Sequence, residues 1–116
     1  MEINELVQRV EDFRIARDWK QFHSPSHLAA AISIEAAELQ EEFLWKSPSE
    51  VQSKIADPVQ KVAIEEELAD VLILALLLAK EINSDPSQII LKKLEKNAVK
   101  YPVEKARGSS KKYTNL

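Results

Sequence analysis

Apolar residues recur every three to four positions over most of the chain, which is the pattern of amphipathic α-helices. Polar residues and prolines interrupt this pattern, and the segments between the interruptions predict five helices. The predicted helices cover about residues 3–18, 25–45, 48–56, 58–82 and 86–101, with a connector over 19–23. The chain is therefore predicted to contain no sheet.

A small polar residue followed by proline marks four of the predicted helix starts. Ser and Asp side chains accept hydrogen bonds from the free N–H groups of a first helical turn, and proline fits its first position. Glu50 adds a capping box to one of these starts. The four signals are Ser24-Pro25, Ser47-Pro48, Asp57-Pro58 and Asp85-Pro86.

These elements predict an all-α, four-helix bundle with one short extra helix. Residues 1–102 are expected to form one domain. Residues 103–116 are polar and contain the only Gly, so they are predicted to form an extended basic C-terminal tail.

Composition excludes several classes of protein. A single Gly rules out a Gly-rich phosphate loop, and the absence of Cys rules out disulfide frameworks and thiolate zinc sites. The longest apolar run, Val71–Ala79, is much shorter than the roughly 20 residues that span a bilayer. A cytoplasmic protein with no membrane partner is expected.

Charge is distributed unevenly along the chain. Residues 92–112 carry eight Lys or Arg against two Glu, whereas the whole chain has a formal net charge of -3. An acidic body followed by a basic end suits a metal cation that carries a polyphosphate. A solvated basic tail accounts for the charge equally well. A nucleic-acid partner is not expected, because the cations are confined to one end.

Two acidic pairs fall on helix faces that are otherwise apolar. Glu35 and Glu38 lie three residues apart on the second helix, and Glu35 is predicted to point inward. Asp70 is the only polar residue of Leu68–Ala79, so that helix is expected to be buried on all sides, with Asp70 buried too. Glu67 lies one turn before Asp70 on the same face. Four converging carboxylates predict a Mg²⁺ or Mn²⁺ site.

Surface salt bridges and a di-iron centre are the alternatives to this metal site. In the first case the acids would pair with Arg14, Arg17 or Lys61. A di-iron centre would require Glu-x-x-His ligands. Both histidines of the chain, His23 and His27, precede the four acids, so the di-iron interpretation is excluded.

The pattern Glu35-Ala-Ala-Glu38, a spacer and Glu67-Leu-Ala-Asp70 resembles the E-x-x-E…E-x-x-D metal motif of the MazG superfamily of all-α nucleotide pyrophosphohydrolases. The likeness covers nearly the whole chain from Phe13 onward and is to the branch that contains the dCTP pyrophosphatases. Further matching segments are Arg17-Asp-Trp19, Phe22-His23, Glu41, Phe43, Trp45-Lys46, Glu66, Val71-Leu-Ile73, Lys93, Asn97, Tyr101-Pro102 and Ser109-Ser-Lys-Lys-Tyr113.

The resemblance implies an activity. Members of the family cleave a nucleoside triphosphate between its α and β phosphates and release pyrophosphate. The resemblance also implies that the enzyme depends on Mg²⁺ and that it favours dCTP or modified pyrimidine deoxynucleotides. Its role would be nucleotide-pool house-cleaning. Mn²⁺ is a possible substitute for the Mg²⁺. The catalytic and metal-binding residues would be Glu35, Glu38, Glu67 and Asp70, with Glu38 proposed to deprotonate the attacking water.

The resemblance also implies how the substrate is held. Base and sugar would contact Trp19, His23 and Trp45, although Trp is more often a core or interface residue and His more often a surface cap. Phosphates would contact Lys93, Asn97 and Lys100 on the last helix, and Lys111, Lys112 and Tyr113 of the tail. Leu74 replaces an aromatic residue found near the deoxyribose in animal members, which leaves discrimination between deoxy and ribo substrates open.

The long apolar helix exposes more apolar surface than its neighbours in one chain can cover, so self-association is expected. Relatives form dimers or dimers of dimers, which implies a homodimer or homotetramer with sites at subunit contacts. A function of another class is a non-catalytic helical adaptor or regulator that senses nucleotides with the same fold.

Overall fold

Six α-helices and two short 3-10 helices make up the computed structural model, which describes residues 1–116 and contains no strand. The all-α prediction is therefore confirmed. The α-helices are α1 (Ile3–Ala16), α2 (Pro25–Glu41), α3 (Pro48–Ala56), α4 (Pro58–Glu81), α5 (Pro86–Lys100) and α6 (Val103–Ala106), and the 3-10 helices are Lys20–Phe22 and Tyr113–Asn115.

The polar residues before the four prolines cap their helices as predicted. Ser24 Oγ accepts a hydrogen bond from the backbone N–H of His27, and Asp57 Oδ1 accepts one from Val59 at 2.9 Å. Ser47 and Glu50 form the complete capping box of α3. Asp85 accepts from two backbone N–H groups at the start of α5. These bonds satisfy donors that a helix leaves free, so the sequence places the helix starts correctly.

The predicted ends of α1 and α2 are too late. α1 ends at Ala16, because Asp18 adopts a left-handed backbone conformation with φ 53°. α2 ends at Glu41 and is followed by a turn in which Trp45 has φ 62°. A left-handed residue cannot continue a right-handed helix. Neither residue is a Gly, so the sequence carries no clear stop signal there.

The connector and the tail also differ from the prediction. The connector contains a 3-10 helix, and the tail, predicted to be extended, contains α6 and a second 3-10 helix. Tyr113 packs edge-to-face against Tyr101 with ring centroids 5.9 Å apart, and the Lys100 ammonium lies 4.8 Å from the Tyr113 ring centroid. These aromatic and cation–π contacts bring the tail back onto the end of α5.

α4 is the central element of the fold. α2 packs along it most extensively, and α1 and α3 also contact it, whereas the main contact of α5 is with α1. The buried hydrophobic residues are Leu28, Leu77 and Ala79. The core thus lies where α2 and α4 meet, and α5 projects from it.

α4 is not buried on all sides in the single chain, contrary to the prediction. Leu68, Leu72 and Ile73 are 44%, 55% and 40% exposed, and Asp70 is exposed as well. The neighbouring helices cover one face of α4 and leave another face open. No helix in the structure combines the length and the apolar character needed to cross a membrane.

The dimensions of the chain confirm that apolar surface stays open. Its accessible surface is 8876 Å², whereas a folded monomer of this mass exposes about 6,400 Å². The radius of gyration is 17.6 Å, compared with about 13 Å for a compact domain of this length. α4 and α5 together carry ten exposed large hydrophobic side chains. The single chain therefore leaves apolar surface for a partner to cover.

Leu28 is 1% exposed at the junction of α2 and α4. Leu28→Ala should lower the free energy of unfolding by about 2–5 kcal/mol, because a cavity remains where the side chain was. Urea unfolding followed by circular dichroism at one fixed protein concentration measures the loss. Val59→Ala is the matched control, since Val59 is 81% exposed and its truncation should cost less than about 0.5 kcal/mol. Equal losses in the two variants would contradict this description of the core.

Candidate functional site

Three carboxylates converge between α2 and α4. A spacing of three residues puts Glu35 and Glu38 on one face of α2, and the packing of the helices brings Glu67 of α4 opposite them. One carboxylate oxygen from each of the three residues lies within 4.8 Å of the others. Asp70 lies close enough for its charge to act on both Glu35 and Glu67.

The charges of this cluster are not compensated by cations of the chain. Glu35 Oε2 and Glu67 Oε2 are buried and have no hydrogen-bond partner in the protein. The ion pairs of the structure involve other acids: Glu11 and Glu81 with Arg14, Glu11 with Lys20, and Glu42 with Lys54. Surface salt bridges therefore do not account for the cluster.

Mutual repulsion and burial change the titration of two of these acids. The pKa of Glu35 is raised, first by a hydrogen bond shared with Glu38, then by burial and by the charges of Glu38, Asp70 and Glu67. The pKa of Glu67 is raised mainly by burial and then by the charge of Glu38. Both shifts show that the ionised cluster is electrostatically unfavourable without a cation.

A hard divalent cation fits this set of ligands. Mg²⁺ and Mn²⁺ prefer oxygen donors, and unpaired carboxylate oxygens that point toward one another offer them. Glu35, Glu38 and Glu67 are the residues that could hold such an ion, with Asp70 beside them.

A cavity of about 310 Å³ opens next to the acidic cluster. Glu35 and Asp70 line one part of it, and Trp19 and His23 of the connector line another. Most of its remaining wall is apolar and comes from α1 and α4, including Phe13, Ile73 and Leu74. An apolar cavity with a few polar groups is the usual form of a small-molecule site.

Trp19 and His23 give this cavity an aromatic side and a neutral polar group. Trp19 is 45% exposed and packs edge-to-face against Phe13, with ring centroids 5.8 Å apart. The pKa of His23 is lowered, first by burial and then by the positive charge of Arg14. His23 is therefore neutral at physiological pH, and its buried Nδ1 has no partner in the protein.

Trp45 does not reach this cavity. It is 92% exposed in the turn after α2 and is not among the lining residues. Of the three aromatic residues predicted to hold the base and sugar, a single chain therefore brings two together.

The residues predicted to bind phosphate also lie away from the acids. Lys93 lines a separate, shallow depression on α5 with Ile89, Lys92 and Lys96. Asn97 is half-buried on the same helix, and Lys100 contacts Tyr113. Lys111 and Lys112 are exposed. None of these residues lines the cavity beside the acids.

Arg14 lines the cavity, although the sequence pattern indicated only a surface salt-bridge partner at this position. It is 1% exposed and pairs with Glu11 and Glu81. Its position in the apolar stripe of α1, four residues after Val10, is a signal that could have indicated burial. Its partner Glu81 could not be found in this way, because the contact joins residues 67 positions apart.

The sequence profile of the MazG-like family matches residues 30–116. The chain belongs to the MazG-like family. This confirms the resemblance drawn from the acidic motif. The matched segment includes all four acids of the motif, together with α5 and the tail.

Individual relatives of this MazG-like chain agree with the assignment. It is 42% identical to dCTP pyrophosphatase 1 of Mus musculus and 41% identical to that of Homo sapiens, in each case over 90% of this chain. The chain spans 62% of the length of these curated relatives. The crystal structure of a pyrophosphatase from Archaeoglobus fulgidus superimposes with a TM-score of 0.77 at 40% identity, covering 86% of this chain and 92% of that one.

Removing one charge from the cluster should stabilise the metal-free protein. We expect Glu35→Gln to raise the melting temperature at about pH 7.5, because it removes a carboxylate whose ionisation the neighbouring acids oppose. The raised pKa of Glu35 means that its contribution to stability is present at low pH and is lost as the pH rises through that pKa. The advantage of the variant should therefore shrink as the pH is lowered. Thermal unfolding in EDTA measures it.

Adding Mg²⁺ should reverse the order of the melting temperatures of the wild type and Glu35→Gln. The cation should raise the melting temperature of the wild type and should raise that of Glu35→Gln much less. Glu65→Gln is the matched control, because Glu65 is an exposed acid of α4 outside the cluster. The same Mg²⁺-induced rise in all three proteins would show that the cluster is not the cation site.

Proposed function

We propose that this chain is a Mg²⁺-dependent nucleoside triphosphate pyrophosphohydrolase that converts a deoxynucleoside triphosphate into the monophosphate and pyrophosphate. The observation that carries the proposal is the shared cavity: Glu35 and Asp70 of the acidic motif line the same space as Trp19 and His23. A site for a metal–phosphate group thus adjoins a site for a planar, largely apolar group. Pyrophosphatase relatives at about 40% identity support the same reaction.

The four acidic residues would have different roles in the metal site. Glu35, Glu38 and Glu67 would hold Mg²⁺, for which Mn²⁺ can substitute, with Asp70 completing the set. A bound Mg²⁺ supplies charge neutralisation to the triphosphate and acidifies water. Glu38 would accept the proton of the attacking water. In support of that role, Glu38 is exposed, whereas Glu35 and Glu67 are partly buried.

The nucleoside would occupy the cavity. The half-exposed ring of Trp19 offers a face on which a base can stack, a contact worth about 1–3 kcal/mol in single-strand binders. The neutral ring of His23, which lines the cavity, would exchange a hydrogen bond with the base or sugar. Similarity to the dCTP pyrophosphatases favours dCTP or a modified pyrimidine deoxynucleotide as the substrate, in a house-cleaning role.

The phosphate-binding residues would come from an assembled protein. The lysines of α5 lie outside the acid-lined cavity of their own chain, and α4 and α5 expose large apolar side chains. A homodimer or a dimer of dimers would cover these faces and could bring α5 and Trp45 of one copy to the cavity of another. In such a site Lys93, Asn97, Lys100 and the tail residues Lys111, Lys112 and Tyr113 would contact the phosphates, and residues 1–102 would form the catalytic domain.

The reaction can be tested directly. With Mg²⁺, dCTP should yield dCMP and pyrophosphate in equal amounts, measured by chromatography together with a pyrophosphate-release assay. Glu38→Ala and Asp70→Asn should reduce the rate at least about 100-fold, since each removes a group of the metal site. Glu65→Gln should retain the wild-type rate.

Two outcomes would contradict the proposal. Release of single phosphate would show a different bond cleavage. Binding of nucleotides without turnover across all eight common nucleoside triphosphates would instead support a non-catalytic nucleotide sensor. Circular dichroism of each variant distinguishes a loss of activity from a loss of fold.

Assembly can be tested by light scattering after gel filtration. The wild type should have a mass at least twice that of the 13.2 kDa chain. Leu72→Glu should lower this mass, because Leu72 is 55% exposed on the open face of α4 and a buried charge there is unfavourable. Val59→Glu, at an exposed position in the first turn of α4, is the control. A wild type that is monomeric at micromolar concentration would refute the assembly.

A further inference from the structure

Glu11 of α1 is a buried acid that joins two cations. It is 3% exposed; its Oε2 accepts a hydrogen bond from Arg14 Nη2, and its Oε1 lies 3.7 Å from Nζ of Lys20 in the connector. Arg14, which is 1% exposed, also donates a hydrogen bond from Nη1 to Glu81 Oε2 of α4 at 2.9 Å. A chain of ion pairs therefore runs from α4 through Glu11 to the connector.

The connector is a single hydrogen-bonded turn. The backbone N–H of Phe22 donates to the Trp19 carbonyl oxygen at 2.9 Å, and that of His23 donates to the Lys20 carbonyl oxygen at 3.0 Å. The N–H of Trp19 donates to the carbonyl oxygen of Arg14 at 3.1 Å. Because these bonds hold the turn together, a constraint on Lys20 also constrains Trp19 and His23.

The ion pairs lie next to the side of the cavity that the connector forms. Trp19 and His23 both line the cavity. After the effect of burial, the charge of Arg14 lowers the pKa of His23, and the charges of Glu81 and Glu11 raise it. His23 is thus close enough to the network for all three charges to act on it.

Stability alone is a weak reason for such a network. A buried ion pair adds little net free energy of folding, because taking two charges out of water costs about as much as their attraction returns. Glu11 and Arg14 are nevertheless the two charged residues among the six buried residues of the chain. Charge-assisted hydrogen bonds have a narrow range of lengths and directions. A network of them therefore restricts the arrangement of the segments that it joins.

We propose that Glu11 is a positioning residue for the nucleoside: through Lys20 it ties the connector to Arg14, and so keeps Trp19 and His23 at the cavity wall. The proposal rests on the proposed function, because it requires a nucleoside in this cavity. Glu11 itself touches neither the substrate nor the metal.

Deoxycytidine tests the proposal without metal or phosphate, and because it is neutral, long-range attraction to a lysine does not affect its binding. In EDTA, Lys20→Met should weaken its binding by about 2- to 5-fold, the range of a partly exposed ion pair. The Lys20 side chain is 55% exposed, so this variant does not disturb the core. Glu11→Gln, which keeps the size of the side chain but loses its charge, should weaken binding at least as much. Titrations followed by NMR give the dissociation constants.

Two further variants and one combination separate positioning from a general defect. Lys20→Arg keeps the cation and should bind deoxycytidine as the wild type does. Lys61→Met is the matched control, because Lys61 is an exposed lysine without an ion pair. The double variant Glu11→Gln/Lys20→Met should lose no more affinity than Glu11→Gln alone, since both changes break the same link. Additive losses would refute the link, as would an unchanged affinity in Lys20→Met.

The mobility of the Trp19 ring gives a readout that does not depend on a ligand. In ¹⁵N-labelled protein, the heteronuclear NOE of the Trp19 indole N–H should fall in Glu11→Gln and in Lys20→Met, because a released connector moves more on the picosecond-to-nanosecond timescale. It should stay at the wild-type value in Lys20→Arg and Lys61→Met. The indole of Trp45, the other tryptophan of the chain, is the internal reference. An unchanged Trp19 value in Glu11→Gln would refute the proposal.

Failure of the enzymatic proposal has a different signature. In that case no pyrophosphate would be released from dCTP with Mg²⁺, while deoxycytidine would still bind and its binding would still depend on Glu11 and Lys20. A wild type that does not bind deoxycytidine would refute the positioning role, since it would show that the connector holds no nucleoside.

Discussion

Repulsion among the carboxylates held between α2 and α4 is the interaction on which the rest of the structure depends. Packing of these two helices keeps Glu35, Glu38 and Glu67 within reach of one another and leaves two of their oxygens buried without a partner. The pKa of Glu35 is raised first by its hydrogen bond with Glu38 and that of Glu67 first by burial, and the charges of the neighbouring acids raise both further. Such an arrangement costs stability in the metal-free protein, and a bound cation would compensate for it.

The fold positions this cluster but does not enclose a complete site. α4 supplies Glu67 and Asp70 and also exposes apolar side chains, and the four lysines of α5 lie outside the cavity. The accessible surface area and the radius of gyration are both larger than those of a compact monomer of this size. An assembly of more than one chain would cover the exposed apolar faces and would also explain why the lysines predicted to bind phosphate lie outside the cavity.

Local features of the sequence predicted the local structure well. Ser or Asp before Pro located four helix starts, and three of the four acids predicted to converge lie together between α2 and α4. The ends of α1 and α2 were missed, because left-handed Asp18 and Trp45 are set by the path of the chain rather than by residue type. The burial of α4 was overestimated, since an apolar sequence does not reveal whether its cover belongs to the same chain. The Arg14–Glu81 pair is a tertiary contact that periodicity cannot show.

The two tryptophans stand in very different surroundings. Trp19 packs against Phe13 at the wall of the cavity, whereas Trp45 extends into solvent. Because the chain has no other tryptophan, its intrinsic fluorescence comes from two native reporters with separate environments. Emission of the first responds to what enters the cavity, and quenching of the second by a soluble ion responds to what covers the turn after α2. In the unlabelled protein, a ligand in the cavity would therefore be detected through Trp19, and a subunit that covers this turn would be detected through Trp45.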